Sequence, residues 1–147
     1  MLLRFDNGAS GVLMATQVAA GDENNLNIRV YGEKGGLEWK QQVPNTMIVK
    51  WLDKPMEIIR AGQKYLSEDA KAFTRTPAGH PEGYLEAFAN IYRSFTKAVR
   101  AYKPGKKIDY AKEFDFPDVK DGVHGMAFVQ TAVESSNSTT KWTKFQY

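Results

Sequence analysis

The chain has 147 residues, enough for one domain with a substantial core, since domains typically hold about 100–200 residues. A hydrophobic content of 42%, a charged content of 25% and a net charge of +3 describe an ordinary globular protein and exclude a disordered or strongly polyionic one. Cysteine is absent, which excludes disulfides and thiolate metal sites and agrees with a reducing cytoplasm, the expected location. No apolar run of about 18 residues and no basic-then-apolar leader occurs, so a soluble chain without membrane partners is expected. The 20 Lys and Arg residues are dispersed, and no basic stripe with base-stacking aromatics marks a nucleic-acid surface.

The first sixty residues predict a meander of five or six strands. "LLRFD" runs through Asn7-Gly8, a hairpin signal, into "SGVLMATQV". "LNIRVYG" alternates Leu26, Ile28 and Val30 against Asn27, Arg29 and Tyr31, and "LEWKQQV" continues the alternation after the turn "GEKGG". "TMIVKWLD" and "MEIIRA" supply two more strands around Lys54-Pro55.

From residue 63 the period changes. "QKYLSEDAKAF" predicts a short helix, and the loop "TRTPAG" precedes a long one over residues 81 to about 102. Tyr84, Leu85, Phe88, Ile91, Tyr92, Phe95, Val99 and Tyr102 recur at helical spacing there, with Pro81 at the first position and His80 as N-cap. The loop "KPGKKIDYAKEFDF" leads to a helix from Pro117 or Asp118 to about Ser136, and "KWTKF" reads as a final strand. Strands followed by helices give one α+β domain over residues 1–147, an open, mainly antiparallel sheet with helices packed on one face. The other face, polar residues mixed with aromatics, is either wet or an oligomer interface. The strand pattern begins at residue 2 without a lead-in, which suits a piece of a larger protein.

Chemistry is sparse. His80 sits in the loop before the long helix, with Arg75 five residues earlier, Glu82 two later and Tyr84 at the head of the apolar stripe. Two readings stand: a helix cap beside solvated charges, or an imidazole that hydrogen-bonds a hydroxylated ligand. His124, between Gly122 and Gly125, reads as structural, the glycines allowing close helix packing. Two histidines 44 positions apart offer no metal-ligand spacing, no Ser occupies a "GxSxG" elbow, and the glycines of "NGASG" and "YGEKGG" join strands instead of opening a helix. Trp39, Trp51 and Trp142 suit packing better than sugar stacking. No catalytic, cofactor-binding or metal residue is assigned.

Four segments, "LLRFDNGASGVL", "LNIRVYGEKGGLEW", "TPAGHPEGYLEAFANIY" and "DGVHGMAFVQTAVESSNSTTKW", together resemble the C-terminal domain of the Gfo/Idh/MocA family of NAD(P)-dependent oxidoreductases. The resemblance implies a parent chain with an N-terminal Rossmann domain for NAD or NADP, a sugar or polyol substrate, and a homo-oligomer formed through the sheet face. The glycine fingerprint, the lysine of the family's "EKP" element and its Asp/His pair are not found in these residues, so the chain is not expected to catalyse hydride transfer alone. By the same resemblance His80 and its loop face the substrate side. The alternative is a stand-alone carbohydrate-binding or protein-interaction module of the same fold.

Overall fold

The computed structural model describes residues 1–147 and divides them into two compact units, residues 1–20 with 107–147, and residues 21–106. The first unit opens with a hairpin of β1 (Leu2–Arg4) and β2 (Ser10–Val12). Asn7-Gly8 makes its turn: Gly8 has a φ of 86°, the left-handed region where a side chain would strain, and the Asn7 Oδ1 accepts the Ala9 N–H at 3.0 Å. Of "SGVLMATQV" only residues 10–12 form the strand, shorter than the alternation suggests, with Leu13 and Met1 exchanging backbone hydrogen bonds just beyond it.

The same unit holds α3 (Tyr110–Phe114) and α4 (Val119–Asn137). Asp118 starts α4 as expected, its Oδ1 accepting the Lys120 N–H at 2.7 Å and the Asp121 N–H at 3.3 Å, while Asp121 returns a bond to the Asp118 N–H at 2.8 Å. Residues 110–114 form a helix where a loop was expected, with Asp109 as cap and Asp115 in the left-handed region ending it at φ 53°. "KWTKF" is not a strand. The aromatics of residues 141–147 turn back onto their own unit instead: Phe145 meets Phe128 at 6.3 Å between ring centroids, Tyr147 meets His124 at 3.8 Å, and the Arg4 guanidinium lies 4.1 Å from the Trp142 ring. Nor do Gly122 and Gly125 serve close packing, because a Cβ built on either would meet open space.

The second unit carries the antiparallel sheet β3 (Asn27–Tyr31), β4 (Gly35–Lys40), β5 (Thr46–Trp51) and β6 (Glu57–Arg60), in that order. The register sets Ile28 opposite Trp39 opposite Met47 opposite Ile59, and Arg29 opposite Glu38 opposite Ile48 opposite Ile58. Directly paired residues share a face, so one face is apolar and the other gathers Arg29, Tyr31, Glu38, Lys40, Lys50 and Arg60. Four strands and a separate hairpin thus replace a single meander. Gly35 and Gly36 are required by contact: a Cβ on Gly35 would lie 2.3 Å from the Lys50 carbonyl oxygen, and one on Gly36 2.9 Å from the Tyr31 ring.

Two helices complete this unit, α1 (Glu68–Ala72) and α2 (Tyr84–Ala101). Helix α2 buries its small residues, Ser94 and Ala98, and leaves Tyr84, Leu85, Phe88, Ile91 and Tyr92 exposed, so the apolar stripe that makes it amphipathic faces outward. Ala98 is the one hydrophobic residue of the whole chain that is buried.

Candidate functional site

The segment between α1 and α2 is built by hydrogen bonds that reach far along the chain. The Asn90 amide donates to the Phe73 carbonyl at 2.7 Å and the Arg93 guanidinium to the Ala72 carbonyl at 2.6 Å, tying the end of α1 to α2. The Glu82 carboxylate accepts the backbone N–H groups of both Arg75 and Thr76 through Oε1. Its backbone is held from the other side: Asn45 donates to the Glu82 carbonyl at 2.7 Å and accepts the Glu82 N–H at 3.0 Å.

This clamp moves the helix start. Pro81 is not the first helical residue and His80 is not the N-cap, because Glu82 is bound to Asn45 and Gly83, with φ −163°, is still extended; α2 begins at Tyr84. The Glu86 carboxylate then turns back to accept the Gly83 N–H at 2.8 Å, and that bond holds its pKa below the ordinary carboxylate value.

His80 is left at the exposed apex of the loop. Its N–H donates to the Pro77 carbonyl at 3.1 Å, its own carbonyl accepts the Thr76 hydroxyl at 3.2 Å, and its Nδ1 lies 3.2 Å from the Pro77 oxygen. A carbonyl oxygen only accepts, so the neutral ring carries its proton on Nδ1 and presents Nε2 as an acceptor. Gly79 makes the bend at a φ of 87°.

The four residues singled out in the sequence therefore fall in one segment with different tasks. Glu82 shapes the loop. Arg75 lends its backbone to Glu82 and its Nε to the Asn90 oxygen at 3.0 Å. Tyr84, 63% exposed, opens α2 with its ring 4.9 Å from Phe88, and His80 is exposed at the bend of the loop. Sequence reasoning missed Asn45 and Asn90, which hold the loop from 37 and 17 residues away; no spacing connects them to it. The three tryptophans are engaged within the chain: Trp39 Nε1 donates to the Pro44 carbonyl at 2.9 Å, Trp51 Nε1 to Glu57 at 2.8 Å with the Lys54 ammonium 4.7 Å from its ring, and Trp142 lies against Arg4.

These residues do not fit a dinucleotide. Pyrophosphates bind where a glycine loop opens a helix, so that unpaired N–H groups face the anion. Here the glycine turn 32–36 joins two strands, and the N-termini of α2 and α4 are filled by the chain's own Glu86 and Asp118. No helix is long and apolar enough to cross a membrane.

Comparison with known proteins gives the family. A family model described as "Oxidoreductase family, C-terminal alpha/beta domain" matches residues 1–145. An uncharacterized oxidoreductase, YfiI of Bacillus subtilis, is 30% identical over 146 residues, and the chain spans 37% of its length. Among solved structures, an oxidoreductase from Sinorhizobium meliloti is 40% identical with a TM-score of 0.85, matching 97% of this chain and 40% of its own. An inositol dehydrogenase homolog from Azotobacter vinelandii, complexed with NADH and myo-inositol, is 31% identical with a TM-score of 0.89 over 98% of this chain and 38% of its own. The α+β fold, the antiparallel sheet and these matches make the chain a member of the Gfo/Idh/MocA oxidoreductase family, corresponding to its C-terminal domain.

Proposed function

We propose that residues 1–147 act as one substrate-binding and oligomerisation domain of a cytoplasmic NAD(P)-dependent oxidoreductase that oxidises a sugar, cyclitol or related polyol. The observation that carries this reading is the likeness, over 98% of the chain, to part of an enzyme homolog complexed with NADH and myo-inositol. A partner Rossmann domain, N-terminal in the parent, holds the NAD or NADP. Hydride chemistry belongs to that domain, and the present chain supplies none of it.

Within this division His80 Nε2 accepts a hydrogen bond from a substrate hydroxyl. Arg75 and Glu82 set the loop that carries it, and Tyr84 stands beside it at the head of α2. The polar strand face with Tyr31 and Ile58 pairs two copies in a two-fold arrangement, the commonest form of oligomer. Titration of NADH into the isolated chain, followed by nicotinamide fluorescence, is expected to show no binding, and myo-inositol with NAD no turnover. Tight NADH binding by the chain alone would overturn the assignment. In the parent, His80→Ala is expected to raise the polyol KM with little change in cofactor affinity.

A further inference from the structure

Helix α2 presents two different faces. On one, Asn90 and Arg93 bond the carbonyls of Phe73 and Ala72, and Ser94 and Ala98 are buried. On the other, Tyr84, Leu85, Phe88, Ile91, Tyr92 and Val99 follow one another at helical spacing and are between 44% and 78% exposed. Over residues 84–99 this stripe is about 24 Å long. A continuous apolar strip of that length, with Tyr84, Phe88 and Tyr92 supplying aromatic rings, has the make-up of the core of an interface and not of a solvated surface.

Two features choose what covers it. The first is continuity. The stripe starts four residues after His80, at most about 14 Å of chain, so the exposed bend of the loop adjoins the head of α2. A polyol held by His80 Nε2 passes its hydride only to a nicotinamide within about 3–3.5 Å of the reacting carbon. The domain carrying that ring must therefore come within one substrate's width of the loop, which brings it against Tyr84 and Leu85. Covering the stripe would also shut water out of the reaction. The second is supply: the chain spans 37–40% of the relatives it matches, and the greater part of each is left to provide a partner. In the proposed assembly the second copy takes the polar strand face through Tyr31 and Ile58, which leaves α2 open to a different occupant.

We infer that the outward apolar stripe of α2, from Tyr84 to Val99, is the surface on which the parent's NAD(P)-binding domain docks, enclosing the substrate between that domain and the His80 loop. The inference rests on the reading of His80 as a substrate contact. Its test is photo-crosslinking in the full-length parent, with p-benzoylphenylalanine in place of Tyr92 and, separately, of Lys97, an exposed residue on a different face of the helix, the linked peptides being identified by mass spectrometry. Position 92 is expected to link to peptides of the cofactor domain, and position 97 is not. Links from position 92 to residues 1–147 alone, equal linking from both positions, or no links would overturn the docking. In the same parent Leu85→Arg, which sets a charge against an apolar partner, is expected to raise the myo-inositol KM about tenfold with NADH affinity unchanged; an unchanged KM would count against the docking. Should His80→Ala leave that KM unchanged while position 92 still links to the cofactor domain, the substrate contact is what fails and the docking stands.

Discussion

Asn45 and Glu82 are bonded to each other twice, the amide donating to the Glu82 carbonyl at 2.7 Å and accepting its N–H at 3.0 Å, although 37 residues separate them. This two-way contact does for the loop what a hairpin does for two strands. It satisfies a donor and an acceptor at once and fixes the chain direction just before α2. Asn45→Ala leaves both backbone groups without their partner, at a cost of about 1–3 kcal/mol. Urea unfolding should register that loss, and hydrogen exchange should quicken at residues 76–83. Unchanged protection there would show that Glu82 alone orders the loop.

Acid should loosen two places first. Glu38 and Glu86 both have pKa values lowered by folding, the first through Lys50 and Lys40, the second through the Gly83 N–H. A depressed carboxylate pKa means that the unfolded chain binds more protons in that range. The stabilisation is therefore present above the unfolded value of about 4.3 and is lost as pH falls through the lower folded values. Stability measured from pH 6 downward should decline below about pH 4.3, and Glu86→Gln should flatten part of that slope.

Two glycine substitutions should act in opposite directions. Gly35→Ala places a methyl 2.3 Å from the backbone oxygen of Lys50, an atom that cannot move without parting β4 from β5. Loss of cooperative unfolding in the sheet is the expected result. Gly122→Ala meets nothing within 4 Å inside a helix, so it should stabilise α4 by about 0.5–1 kcal/mol. Thermal unfolding followed by circular dichroism measures both, and a destabilised Gly122→Ala would reveal packing on that helix face.

At the head of α4, Asp118 accepts two backbone N–H groups and receives support from Asp121. Asp118→Ala should cost about 1 kcal/mol, and Asp118→Asn much less, because an amide oxygen caps almost as well. Comparing their unfolding midpoints separates the hydrogen bonds from the charge. Equal losses would assign the effect to the charge.

The parts of this fold legible in the sequence are those decided by near neighbours. Asn7-Gly8 announces its hairpin, Asp118 starts its helix where expected, and the alternation of Ile28 and Val30 against Arg29 and Tyr31 gives the two sheet faces. The failures are tertiary. Pro81 looks like a helix start until Asn45 binds Glu82 and delays the helix to Tyr84. "KWTKF" has strand composition, yet Phe145 and Tyr147 find Phe128 and His124 instead of a sheet edge. In the candidate site the loop and its histidine were visible, and so were Arg75 and Glu82. Their use as scaffolding was not, since it depends on which oxygen meets which N–H. The cluster of Glu38 with Arg29, Lys40 and Lys50, all ion-paired to its carboxylate, was hidden for a related reason, because periodicity gives faces and only register gives neighbours.

That cluster also bears on how the sheet finds its pairing. Shifting β4 by one residue would turn Glu38 toward the face of Val30 and Val49 and away from Arg29 and Lys50, and shifting β3 or β5 would carry one of those two cations to the opposite side. The first sets an ionised carboxylate beside aliphatic groups with only Lys40 of its own strand as partner, and the second removes one of its three cations, a larger penalty than a few misplaced methyls. One acidic residue thus acts as a key that fits a single alignment, rejecting slipped pairings while the sheet is still assembling.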